Sequence, residues 1–294
     1  MSSINYIDSH CHVWKVERGD YDWLNESMTS LYKDFSIDDY KEAATKFGVT
    51  GCVLVQAAPT VDETSYLLNI AMQSGGFVKG VVGWCDMLGG DTTITNLKQM
   101  YDSTFLNGKP LLVGIRPMLE NISQEDWMLQ KELAPVINWM ISKNIVFEAL
   151  VRPGHLKHLR KFLIRYPRLK VVIDHAAKPS INGDKAAFDQ WKADIEWIAK
   201  NSQTSLVKIS GFYNQVTVEA GKEKDITEYN SRVAPYVMHL VRWFTPKRLM
   251  WGSDWPVHDN YEAWFKFCRD CFSTLSKEQQ TDFFQGNATR LYGF

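Results

Sequence analysis

The sequence predicts an α/β fold of one kind, a closed (β/α)₈ TIM-type barrel running as a single domain over residues 1–294. Three observations carry that expectation. Eight short β-branched runs alternate strictly with longer stretches of helical period, the pattern of parallel βα units. The first run leads into DSHCHVW (residues 8–14), where an open doubly wound sheet would carry a glycine-rich phosphate turn. No Pro/Gly/Ser-rich linker, charge block or repeat divides the chain, and a barrel of this class uses about 250 residues for one domain.

Taken in order, the strand candidates are Asn5–His10, Thr50–Gln56, Val78–Trp84, Leu111–Arg116, Ile145–Val151, Leu169–His175, Leu206–Ser210 and Arg248–Asp254. Each is brief and mostly apolar, as strands buried on both faces must be. Helical periodicity fills the intervals. Ser36 is placed as an N-cap before residues 37–48, with Gly48 as the stop, and Gly75 closes the stretch from Val61. Residues 92–103, 123–143, 153–166, 184–201 and 225–244 supply the next five helices, and 258–275 and 277–293 finish the chain.

Composition narrows the function. The chain is 45% hydrophobic and 23% charged, which excludes a disordered or collagen-like polymer. Lys and Arg total 33 against 34 Asp and Glu, so no basic excess points to nucleic acid or an anionic membrane. The apolar runs reach about six residues, far short of the ~20 a span requires. The first residues, MSSINYIDSH, show neither a basic segment nor an apolar stretch, so no signal peptide is expected and the protein is read as cytoplasmic. The five cysteines are an odd number; Cys268 and Cys271 form a lone CxxC on an amphipathic helix and read as reduced helix-face residues. Aromatic residues make up 13% of the chain, a stock that serves both packing and a ligand cleft.

Barrel chemistry sits at the C-terminal ends of the strands. Alternation along a strand puts Asp8, His10 and His12 on one side and Cys11 on the other, so the two imidazoles can converge on a cation or an anionic group. The other ends offer Gln56, Trp84, Arg116, Glu148, His175 with Lys178 three residues on, and Asp254 beside Trp255. So many polar groups converging at strand tips are costly unless paired, and the ensemble reads as an active site. Several members carry a second reading. Asp8 caps a turn or orients a histidine, and Glu148 pairs with Arg116 or Arg152 if it holds no metal. His155 and His158 fall on a solvated basic helix face, His239 packs within a helix, and His258 follows the last strand.

DSHCHVW, VGIR, DHAAKP, KISG, WGSDWP and the closing GNATRLYG resemble the amidohydrolase-related family of the metal-dependent hydrolase superfamily, in its branch of sugar-acid and pyrone-dicarboxylate lactonases. The resemblance implies a barrel hydrolase in which His10 and His12 form the first-strand pair, His175 the sixth-strand histidine and Asp254 the eighth-strand aspartate. Arg116 stands where two-metal relatives carry a bridging lysine, and no fifth-strand histidine is evident, Glu148 being nearest. One Zn²⁺ or another divalent metal, held by His10, His12, Glu148, His175 and Asp254, and metal-free catalysis both remain open.

Lactone hydrolysis needs an activated water, a base and a stabilised oxyanion. Asp254 is placed as the base, with His175 and Arg116 as further catalytic groups, and Gln56, Trp84, Lys178 and Trp255 as substrate-binding residues. The expected partner is a small lactone of a sugar acid or a related carboxylate. A metal-dependent decarboxylase is the alternative, and a non-catalytic ligand-binding barrel a further one. The 16–34 and 213–225 insertions are expected to wall the pocket. The oligomeric state is left open.

Overall fold

A computed structural model describes residues 5–181, 183–217, 225–258 and 260–294. Eight strands form one sheet: β1 (Tyr6–Cys11), β2 (Val49–Val55), β3 (Val78–Gly83), β4 (Leu112–Ile115), β5 (Val146–Ala149), β6 (Val171–Ile173), β7 (Ser205–Ile209) and β8 (Leu249–Trp251). Each pairs in parallel with the next in chain order. The ends then meet. Asp254 N–H donates to the His10 carbonyl at 2.8 Å, and His12 N–H to the Trp255 carbonyl at 2.7 Å. These bonds, with a bridge between Cys11 and Trp255, bring the last strand back to the first and nearly close the barrel.

The apolar residues sort by strand parity. Val53, Val55, Val82, Val113, Val146, Val172 and Met250 fill the barrel interior, while Cys52, Leu54, Val81, Phe147, Val171, Val207 and Trp251 face the helices. The surrounding helices are α1 (Ile37–Ala44), α2 (Val61–Gln73), α3 (Gly90–Ser103), α4 (Ala134–Lys143), α5 (Leu156–Arg165), α6 (Lys185–Asn201), α7 (Ile226–Phe244) and α8 (Tyr261–Phe272). A short α9 (Lys277–Thr281) continues through a π-helical segment into α10 (Asn287–Tyr292), whose Ala288, Leu291 and Tyr292 plug the floor of the barrel. Among the described residues no helix is long and apolar enough to cross a membrane.

Local signals account for most boundaries. Ser36 and Asp39 form a capping box at α1, and Gly48 stops the following turn at φ 84°. Two expectations need correction. The helix expected over 123–143 begins only at Ala134, because Pro135 lacks the N–H that an interior helical position needs and sits in the first turn instead. A hairpin, Phe105–Leu106 with Lys109–Pro110, was not expected, although its Asn107-Gly108 tip, both residues at positive φ, is a strong turn signal.

Candidate active site

A cleft of about 350 Å³ opens at the C-terminal ends of the strands. The ladders stop before the polar tips, so Gln56, Arg116, His175 and Asp254 belong to the loops leaving β2, β4, β6 and β8. At β1 the pairing with β2 shifts register between Asp8 and Cys11, and such an irregularity re-aims side chains. His12 lines the cleft, and His10, fully buried, stands behind it with its Nε2 against that of His12. Asp8 does not share their side as strict alternation would have it: one oxygen accepts N–H groups of His10 (3.0 Å) and Ser253 (2.9 Å), the other the Tyr40 hydroxyl of α1 (2.8 Å). It stitches β1 to the end of β8. Burial pushes this carboxyl up to about 6, against the pull of those bonds.

Three imidazoles surround Asp254. Its Oδ1 lies 3.4 Å from His12 Nε2, 3.7 Å from His10 Nε2 and 3.8 Å from His175 Nε2, and the two β1 nitrogens stand 3.2 Å apart. His12 Nδ1 lies 2.7 Å from the Val55 carbonyl. A carbonyl can only accept, so Nδ1 carries a proton and Nε2 is the nitrogen turned toward the cluster. His175 Nδ1 is likewise engaged, by Ser210 Oγ at 2.9 Å. Burial drives His175 down to about 4 in spite of the nearby Asp254 carboxylate, and drives His10 below the ordinary range. His10 and His175 are therefore neutral at neutral pH. Burial alone would raise Asp254, but His175, His12 and His10 outweigh it and hold the carboxyl below the usual carboxylate range.

This donor set fits a divalent ion. Ligand atoms about 2.0–2.1 Å from a tetrahedral zinc stand about 3.3 Å apart, close to the spacing of the His10, His12 and Asp254 atoms, all buried and within 4.8 Å of one another.

The loops that present these groups are strained. Asp254 has φ 60°, and in the loop after β6 the four residues His175 to Lys178 have φ of 50°, 50°, 65° and 49°. A left-handed turn costs about 1–2 kcal/mol for each non-glycine residue. Trp191 of α6 clamps it by donating to the Ala176 carbonyl at 2.8 Å. Gly211, at φ 63°, leaves room beside it, for a Cβ there would lie 2.7 Å from His175 Nδ1 and 3.0 Å from Asp254 Oδ2.

Beneath the imidazoles, inside the barrel, is a set of charges of which the sequence reading points out only Glu148. Lys208 of β7, fully buried, lies 2.5 Å from Glu148, 3.4 Å from Asp174 and 3.2 Å from His10 Nδ1. Glu148 thus stands below the His12–Asp254 cluster, paired with Lys208 and the Tyr292 hydroxyl where Arg116 or Arg152 was expected. Lys208 left a trace in the sequence: in SLVKI it shares parity with inward-facing Leu206, where an apolar residue belongs.

The cleft walls also differ from expectation. Arg116 lines the cleft, donates to the Gln56 carbonyl and lies 3.5 Å from Asp174, while its buried Nε–H has no partner. Gln56 is fully buried and donates to the Arg116 carbonyl at 2.8 Å, so it braces that arginine and is not among the lining residues. Trp84 does not line the cleft, and the Trp255 ring packs against Phe35 and Tyr40. Trp23, from the 16–34 insertion, lines it instead, fixed by donation to the Ala57 carbonyl at 2.8 Å. From the second insertion Asn214 and Gln215 line the cleft, while residues 218–224 lie outside the described residues. Lys178 reaches it already paired, at 2.7 and 2.8 Å, with Glu120, another lining residue the sequence reading missed. His155 is buried, accepting from the Arg152 N–H at 3.0 Å, so the expected solvated face does not extend to it. His239 stacks on Trp243, and His258 packs against Tyr213.

A βα barrel that gathers three imidazoles, a carboxylate and an arginine at its C-terminal mouth is of the barrel-hydrolase class. The chain belongs to the amidohydrolase family, which it matches over residues 7–294. It is 36% identical to an L-fucono-1,5-lactonase from Burkholderia ambifaria, covering 97% of this chain and 94% of that protein. An L-fucono-1,5-lactonase from Burkholderia multivorans is 25% identical, covering 97% and 95%. A crystal structure of a B. multivorans amidohydrolase with bound zinc superposes with a TM-score of 0.85 at 25% identity, covering 98% and 99% of the two chains.

Proposed function

We propose that this protein is a lactonase opening an uncharged sugar lactone by attack of water, with Asp254 as the base. The observation that carries the reading is the convergence of three imidazoles on one ionised carboxylate at the cleft floor. The two relatives that bear the name L-fucono-1,5-lactonase support it. Charge in the cleft refines the substrate. Its cations, Arg116 and Lys178, are already matched by Asp174 and Glu120, which favours a neutral polyhydroxy ring over a substrate with a free carboxylate. The same matching disfavours the decarboxylase reading, whose substrate carries one. The cleft is near the lower end of ligand-pocket sizes, in keeping with a monosaccharide.

His10, His12, Asp254 and His175 would hold a single Zn²⁺, and the chemistry it supplies when bound is polarisation of the carbonyl and acidification of the water. The chain's own residues do the remainder. Asp254, ionised at neutral pH, accepts the water proton as the oxygen attacks the lactone carbon. Arg116, which lines the cleft, offers guanidinium N–H donors to the carbonyl oxygen as negative charge develops there. The ring C–O bond then breaks, the proton passes from Asp254 to the departing ring oxygen, and a hydroxy acid leaves. Trp23 offers an apolar face to the sugar C–H groups, and Asn214 and Gln215 offer donors and acceptors to its hydroxyls.

The test is an indicator-coupled hydrolysis assay across neutral sugar lactones and carboxylate-bearing lactones of similar ring size. Turnover concentrated in one stereochemical series of the neutral set is expected. Preference for the carboxylated set would overturn the substrate assignment, and silence from folded protein across both would overturn the lactonase reading.

A further inference from the structure

We infer that Lys208 is a tethered cation filling an internal ion site built by His10, Glu148 and Asp174, and that it positions His10 from below. One ligand atom from each of those three residues lies within 4.8 Å of the others, a limit that the His10, His12 and Asp254 set above it also meets. All three residues are fully buried. The Lys208 ammonium sits among them, 2.5 Å from Glu148 Oε2, 3.4 Å from Asp174 Oδ1 and 3.2 Å from His10 Nδ1. Asp174 Oδ1 is buried and faces His10 Nδ1 at 3.5 Å and Lys208 Nζ at 3.4 Å, as an oxygen turned toward a cation does.

The arrangement follows from cost. Two carboxylates inside a barrel are prohibitive without positive charge, and an exchangeable ion would be lost whenever its concentration fell. A lysine on an inward strand position supplies the charge covalently. It also blocks the Nδ1 side of His10; with the Nδ1 proton directed at Asp174 Oδ1, 3.5 Å away, Nε2 keeps its lone pair, so the barrel takes its exchangeable ion at the upper site alone. The inference concerns ion binding and holds whatever lactone is turned over.

The test is metal stoichiometry, measured with Mn²⁺ as the probe on purified wild type, Lys208→Ala and the double variant Glu148→Gln/Lys208→Ala. Lys208→Ala is expected to bind one equivalent of Mn²⁺ more than wild type, and the double variant to lose that gain. Equal stoichiometry in wild type and Lys208→Ala would overturn the inference. Should Lys208→Ala fail to fold while the double variant folds, the uncompensated carboxylates are the cause, as the inference requires. Failure of both would make Lys208 a packing residue and refute it.

Discussion

Gly211→Ala isolates the geometry of the site in a single methyl group. The new Cβ would lie 2.7 Å from His175 Nδ1 and 3.0 Å from Asp254 Oδ2, against an ordinary contact of 3.4 Å, a shortfall of about 0.7 Å at the histidine. His175 would have to give up its place against Ser210, and a misplacement of about 1 Å at reacting groups costs on the order of 10²-fold in rate. Stability pays separately. Left-handed backbone for an alanine costs about 1–2 kcal/mol, and overpacking adds about 1–3 kcal/mol. Together these lower the melting temperature by roughly 3–8 °C in a protein of this size. Gly75→Ala is the control: its φ is 65°, nearly the same, with nothing within 4 Å of the new Cβ. It should lose only the backbone share and keep full activity. The assay is kcat/KM on the preferred lactone beside a thermal melt. Gly211→Ala with wild-type kcat/KM and the melting temperature of Gly75→Ala would refute the placement of His175 and Asp254.

Three further outcomes follow from the same geometry. Burial lowers His175 to about 4, so its imidazole stays neutral down to that pH; kcat/KM should be level through neutrality with an acid limb near 4, and a limb near the ordinary ~6.5 of histidine would contradict it. Glu120→Gln should leave Lys178 unmatched and shift preference toward carboxylate-bearing lactones, seen as a rise in their kcat/KM relative to neutral ones; no shift would mean that the pair does not set substrate charge. Glu63 accepts the N–H groups of Ala57 and Ala58 at 2.9 and 2.5 Å, fixing the loop that brings Ala57 to the cleft. Glu63→Gln should therefore cost about 1–3 kcal/mol in urea unfolding. Burial raises Glu63 from 4.5 to about 7, so its contribution to stability is full below 4.5 and is lost as pH rises through about 7. The Gln variant should lack that slope, and parallel curves for both proteins would argue against it.

The barrel was legible because its signals are local and repeated: short β-branched runs, helical periods and turn residues recur in strict alternation. The site was legible in part for the same reason, since a polar residue ending an apolar strand is conspicuous, as at His10, His12, Arg116, His175 and Asp254. What escaped depends on contacts between distant segments. Nothing in DHAAKP announces four consecutive left-handed residues, because the Trp191 clamp comes from another helix. Trp84 and Trp255 were assigned to the pocket from their places beside strand ends, yet side-chain direction in a loop is set by tertiary packing, and Trp23 took that wall. The interior charges were half visible. Lys208 breaks the apolar parity of its strand, but only the closed barrel shows that it answers Glu148 and Asp174 together.

The central claim is that Asp254 moves the water proton, and Asp254→Asn tests it most directly. Asparagine tolerates left-handed backbone well, so the φ of 60° at this position should persist and the fold with it. The expected result is a fall in kcat of about 10²–10⁴-fold on the preferred lactone, the usual worth of a general base, with KM and melting temperature close to wild type. A variant that keeps its turnover within a few-fold of wild type would contradict the account.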